Sequence, residues 1–188
     1  MTRTFDSRMK PGQNQKPAKQ KNMKNILIDP IKQEIIPVQL SVQPGLKHFY
    51  DAIECDCVDM VSLPGNLILV VDDEGMLKAT GGFLASKVHR GYFVLLHENG
   101  AARNLIAGRG IVVAEDDEGR SCTLPDYITP ASLAKFVRFI PADKNEEAAQ
   151  LCEEILADCG YVRSPEHAQR IEARYVNIMN RALALCRN

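Results

Sequence analysis

Apolar positions along the chain change their period twice, and those changes predict the elements. Order is expected to begin at Asn25. Ile26-Leu27-Ile28, stopped by Asp29-Pro30, reads as a short buried strand, and Glu34 to Leu40 reads as its partner. Pro37 confines that partner to a sheet edge or a bulge. After the breaker Pro44-Gly45, the spacing of Leu46, Phe49, Tyr50 and Ile53 is helical. Cys57 to Leu63 alternates as a strand, turning at Pro64-Gly65-Asn66 into the continuous apolar run Leu67–Val71, which predicts a central strand. Tyr92 to Leu96, Leu105 to Ala107 and Ile111 to Ala114 are further strand candidates. Three acidic, glycine-ended turns, Asp72–Gly75, His97–Gly100 and Glu115–Gly119, are expected to close hairpins.

Beyond residue 125 the period lengthens. Thr129-Pro130 caps and opens a helix expected to run to about Phe139, ended by Pro141. Asp143 with Glu146 resembles a capping box for a second helix, which Gly160 stops. Its stripe is Ala148, Leu151, Cys152, Ile155, Leu156 and Cys159. Ser164-Pro165 opens a third helix with the stripe Ala168, Ile171, Tyr175, Ile178, Ala182 and Leu185. The short link between the last two helices predicts antiparallel packing. The fold class is therefore α+β: a mostly antiparallel sheet with a short helix, followed by a C-terminal helical hairpin packed on it. Residues 1–24 form a disordered basic arm, 25–141 an α+β domain, and 142–188 the hairpin on the same core.

These elements, taken in order, resemble domain-of-unknown-function family 3846, common in phage and plasmid genomes. The likeness runs over about residues 25–140. It rests on the leading Ile26-Leu27-Ile28-Asp29-Pro30, on Asp73-Glu74-Gly75, on Glu98-Asn99-Gly100 before Leu105-Ile106-Ala107-Gly108, and on the helical entry from Leu124. The resemblance implies a mobile-element context and carries no activity with it.

Charge changes the picture at the N-terminus. The chain of 188 residues has a net charge of only −1. Yet residues 1–24 hold Arg3, Arg8, Lys10, Lys16, Lys19, Lys21 and Lys24 against the single acid Asp6. From totals of 23 bases and 24 acids, that leaves 16 bases and 23 acids for the rest. This arm reads as a polyanion-binding segment for nucleic acid, as a solubilising tail, or as an over-extended start with Met23 the true initiator. Absence of a long apolar run or a secretory h-region predicts a cytoplasmic chain with no membrane association.

Candidate chemistry is sparse. The six cysteines are expected to be reduced thiols. Cys55 and Cys57 would alternate on one strand face, but no second ligand pair follows at a zinc-site spacing. His48, His89, His97 and His167 lie in no nucleophile motif and read as solvated polar residues. Gly108-Arg109-Gly110 opens a strand, so no helix N-terminus waits there for a phosphate. A twelve-residue calcium loop counted from Asp72 would need Glu where Phe83 stands. No catalytic residue, metal or cofactor is expected.

One surface feature remains. Arg170, Arg174, Asn177 and Arg181 share a stripe of the last helix and could contact an anion or a partner. The alternative is a rim paired with acids of the preceding helix, such as Glu153 and Glu154, and with Glu166 four residues before Arg170. The leading expectation is a non-catalytic interaction protein of a mobile element, binding a host or element protein. The alternatives are a nucleic-acid-binding accessory protein using the arm and the arginine stripe, and a small nucleotide-binding protein or enzyme with a loop-built site. The sequence leaves the oligomeric state open.

Overall fold

A computed structural model describes residues 22–41, 46–80, 91–159 and 164–187. Two antiparallel sheets stack face to face. The larger is six-stranded, in the order β2 (Glu34–Ser41), β1 (Asn22–Asp29), β7 (Gly110–Glu115), β4 (Leu67–Asp72), β3 (Val58–Leu63), with β8 (Ser121–Cys122) also on β7. The smaller is three-stranded, in the order β6 (Ala102–Ala107), β5 (Tyr92–Leu96), β9 (Val137–Ile140). Helix α1 (Lys47–Ile53) covers the outer face of the large sheet. Helices α2 (Gly75–Ala79), α4 (Asn145–Asp158) and α5 (Pro165–Leu185) cover the outer face of the small one. The α+β class thus holds, with two sheets where one was expected.

Four layers explain the unbroken apolar runs. In β4, Leu67, Leu69 and Val71 point between the sheets while Ile68 and Val70 meet Phe49 and Ile53 of α1. In β5, Phe93 and Leu95 point between the sheets while Tyr92, Val94 and Leu96 meet Leu151, Cys152, Ile155 and Ile178 of the helices. A strand covered on both faces needs no polar face, even in an antiparallel sheet. Each fully buried Val, Leu or Ile contributes ~1.5–3 kcal/mol, so the two-faced strands supply most of the driving force. β7 takes the central place; β4 lies between it and the edge strand β3.

Turns fall as their chemistry requires. The three-residue loop Pro64-Gly65-Asn66 joins β3 to β4, with Gly65 and Asn66 (φ 79° and 57°) in the left-handed region that glycine and asparagine tolerate. His97–Gly100 and Glu115–Gly119 join β5 to β6 and β7 to β8. Pro37 stands on the edge strand β2.

Five readings need correction. The first strand begins at Asn22, so Lys24 belongs to β1; Met23 is buried, and the Lys24 ammonium pairs with Asp126 at 3.0 Å. The Asp72–Gly75 turn closes no hairpin; it delivers the chain into α2 because Asp72 Oδ1 accepts the Glu74 N–H and Gly75 starts the helix. The helix at Thr129 is only α3 (Pro130–Leu133), since Val137–Ile140 pairs with the open side of β5. A 3-10 turn (Ala142–Lys144) precedes α4, whose N-cap Lys144 makes no side-chain cap, so the Asp143 capping box does not form. Cys55 and Cys57 precede β3 and diverge, one buried and one exposed. Pro44, Gly45 and Gly160 lie outside the described residues.

The antiparallel helix pair is read from its ion pairs. Arg174 reaches Asp158 near the end of α4, and Arg181, two turns on, reaches Glu154, one turn back. Only the C-terminal half of α5 is embedded: Ile178, Met179 and Ala182 are buried, whereas Ala168, at the start of its predicted stripe, is exposed.

Candidate functional site

The arginine stripe is partly spent on the helix pair. Arg181 donates to both oxygens of Glu154 (2.7 and 2.9 Å), which holds that carboxyl below the usual glutamate range. Arg174 donates to Asp158 at 2.8 Å. Arg170 and Asn177 are exposed, and no described ion pair joins Arg170 to Glu166, whose carboxyl is lowered by its own backbone N–H and by Ser164. Arg3, Arg8, Lys10, Lys16, Lys19 and Lys21 lie outside the described residues.

The histidines are dispersed. His48 is buried, its ring 4.1 Å from that of Phe49, contrary to a solvated reading, because it lies on the face that α1 turns to the sheet. His97 is exposed at its hairpin, and the His167 backbone N–H donates to the Ser164 cap. His89 lies outside the described residues. Burial pushes the Cys152 thiol up to about 12 and the Cys55 thiol up to about 11, the latter helped by the charge of Asp72. Among the described residues, no three His, Cys, Asp or Glu gather to hold a metal ion.

Buried charge concentrates at one end of the large sheet. Gly110 pairs with Ile28 on one side and Val71 on the other, so Arg109 stands between the strand ends Asp29 and Asp72. A Cβ on Gly110 would lie 2.7 Å from Leu69 Cδ1 on the neighbouring strand and 3.4 Å from Phe93 Cζ of the other sheet. Arg109 donates to Asp29 at 3.0 Å and meets Glu54 at 2.5 Å. Asp29, almost wholly buried, also accepts the backbone N–H groups of Ile31 and Lys32. Beside it, Lys78 donates to both oxygens of Asp72 (3.0 and 2.9 Å) and reaches Glu74 at 3.4 Å. Burial works against the ammonium charge, but Asp72 and then Glu74 outweigh it and hold Lys78 above the usual lysine range.

That ion pair pins α2 over the end of β4, where Asp72 joins the lining of a cleft. The cleft, about 240 Å³, opens between the edge strand β3 and the edge strand β6. Val61, Val71, Leu105 and Ile106 floor it, Met76 and Leu77 wall it, and Asp59, Asp73 and Asn104 supply its polar rim. Gly75 lets α2 seat directly on β6: a Cβ there would stand 2.6 Å from the Ala107 carbonyl oxygen. Leu77 is 52% exposed beside the mouth, and Met60, on the opposite face of β3, is 44% exposed. Asp56, Asp59 and Asp73 are exposed and have no ion-pair partner among the described residues. A second, apolar cavity of about 150 Å³ lies between the sheets at their other end, lined by Leu63, Leu67, Leu96 and Phe136 among others.

Sequence reasoning missed this cleft. One signal was legible: an aspartate ending a wholly apolar strand is buried with it and needs a cation, and Lys78 lies one helical turn past Glu74.

Residues 23–136 match the family described as Domain of unknown function (DUF3846); this is more than half of the chain, and the chain belongs to that family. No match is found among curated proteins or among solved structures. Among the described residues no helix is long and apolar enough to cross a membrane.

Proposed function

We propose that the chain is a non-catalytic interaction protein of a mobile element that binds a host or element protein through the cleft between β3, α2 and β6. One observation carries the reading: an open cleft with an apolar floor, flanked by an edge strand and by the exposed Leu77. Apolar surface beside unpaired backbone is what protein recognition uses. A cytoplasmic location belongs to the same proposal. Nucleic-acid binding has less behind it, since Lys24, Arg174 and Arg181 are each tied to an acid.

A photo-crosslinking side chain at Leu77, compared with one at Arg170 on α5, tests the reading in an extract of the native host. Protein adducts at position 77 and none at 170 are expected. Adducts only at 170, or to nucleic acid instead of protein, would overturn it.

A further inference from the structure

We infer that the partner presents an extended, basic segment, which adds to the free edge of β3 and sets an apolar side chain into the cleft. This rests on the protein-binding reading above. β3 pairs with β4 on one side only, and among the described residues nothing pairs with the other. The six-residue strand runs roughly 20 Å, and every second residue turns its N–H and C=O away from β4 toward an added chain.

Side-chain alternation then dictates what that chain carries. Asp59 and Val61 face the cleft, with Met60 between them on the opposite face. A strand laid beside β3 alternates in the same way. Its inward side chains meet Val61, Met76, Leu77 and Leu105, so at least one of them is apolar. Inward side chains two positions before or after it come within reach of Asp59 and Asp73, which line the same cleft. These two carboxylates are exposed and have no ion-pair partner among the described residues, although Asp59 Oδ1 accepts the Met60 N–H; the described cations nearby are committed, Lys47 to Asp51, Lys78 to Asp72, Arg109 to Asp29 and Glu54. The surface therefore selects Lys or Arg.

The same charges exclude two other occupants. A second copy pairing β3 with β3 would bring the acids of one edge against those of the other, and like charges set opposite each other destabilise a strand pair. A nucleic acid would bring phosphates against carboxylates. Charges on a short edge strand guard a sheet against its own copies; here they also specify the strand that does pair.

The test uses a fluorescent peptide of about ten residues in which Lys and Val alternate at every second position, with Ser between them, so that both share the inward face; with it go its Glu–Val counterpart and the Lys–Val peptide N-methylated at alternate residues. Anisotropy is read against the full chain, against Asp59→Lys with Asp73→Lys, and against the milder Asp59→Asn with Asp73→Asn. Urea midpoints check that each variant is folded. The Lys–Val peptide should bind, the charge reversal should weaken it by about tenfold or more, and the Asn pair should weaken it by less. The Glu–Val and N-methylated peptides should not bind. Equal binding of the N-methylated peptide would overturn strand addition, and equal binding of the Glu–Val peptide would overturn charge selection. Binding that tightens in a chain starting at Met23 would place the protein's own basic segment in the groove, overturning the choice of partner. Failure of every peptide while position 77 still crosslinks to a protein would refute this inference and leave the protein-binding reading standing.

Discussion

Replacing Lys78 by Met keeps most of the buried stem and removes only the ammonium. That ammonium donates to both oxygens of Asp72, a carboxylate whose side chain has no solvent exposure. At an effective dielectric near 20, unit charges about 3 Å apart attract by roughly 5–6 kcal/mol, offset in the native pair by the desolvation of both groups. Removing one partner forfeits the attraction while the other stays desolvated, so Lys78→Met should cost ~3–5 kcal/mol. Asp72→Asn in the same chain removes the stranded charge, and the double variant should cost less than the sum of the singles by ~2–3 kcal/mol. Urea unfolding followed by circular dichroism measures all four corners of the cycle. Hydrogen exchange of the α2 amides adds a local readout, because that ion pair anchors the cleft wall. A cost below ~1 kcal/mol for Lys78→Met, with α2 exchange unchanged, would refute the argument that this pair holds the wall in place.

Three further outcomes are expected. Gly75→Ala should destabilise by ~1–3 kcal/mol in urea, because its Cβ would meet the backbone carbonyl of Ala107, which cannot rotate away. Asn25→Val should be neutral or stabilise by ~1 kcal/mol in a thermal melt, since Asn25 is buried and its Oδ1 has no hydrogen-bond partner among the described residues. The contribution of the buried thiols and Tyr92 to stability should be complete below about pH 9 and be lost as pH rises toward 12: the native state keeps its proton on Cys152 to about 12, Tyr92 to about 12 and Cys55 to about 11, while the unfolded chain releases its thiol protons from near 9.0. Lys78, raised above 10.5, acts in the same direction, and an alkaline unfolding series in thiol-protecting buffer checks the sign.

Elements whose signal is local were legible. Leu67–Val71, Tyr92–Leu96 and the stripes of α4 and α5 carry their period in the residues themselves, and Ser164-Pro165 caps α5 as its chemistry requires. Elements set by a distant partner were not. Val137–Ile140 looks like the continuation of a helix until β5 offers it an open edge. The acidic turn after Asp72 looks like a hairpin until Ala107 and Lys78 determine where α2 sits. Strands apolar on both faces say that something covers them but not what, so one sheet and two stacked sheets read alike at Leu67 and Phe93. The cleft was hidden for the same reason, being formed by edges of two sheets whose stacking no local pattern encodes. The arginine stripe was visible, and so was its alternative. Two of its arginines meet acids of α4, at Glu154 and Asp158, with Glu153 taking no part in these pairs.

Amide hydrogen exchange along β3, with and without the Lys–Val peptide, tests the central claim most directly. The amides of Val58–Leu63 not bonded to β4 should exchange rapidly in the free protein and be protected when the peptide is present. The amides of α5 should not respond. Unchanged exchange along β3 at a peptide concentration that saturates binding, or protection confined to α5, would contradict the claim.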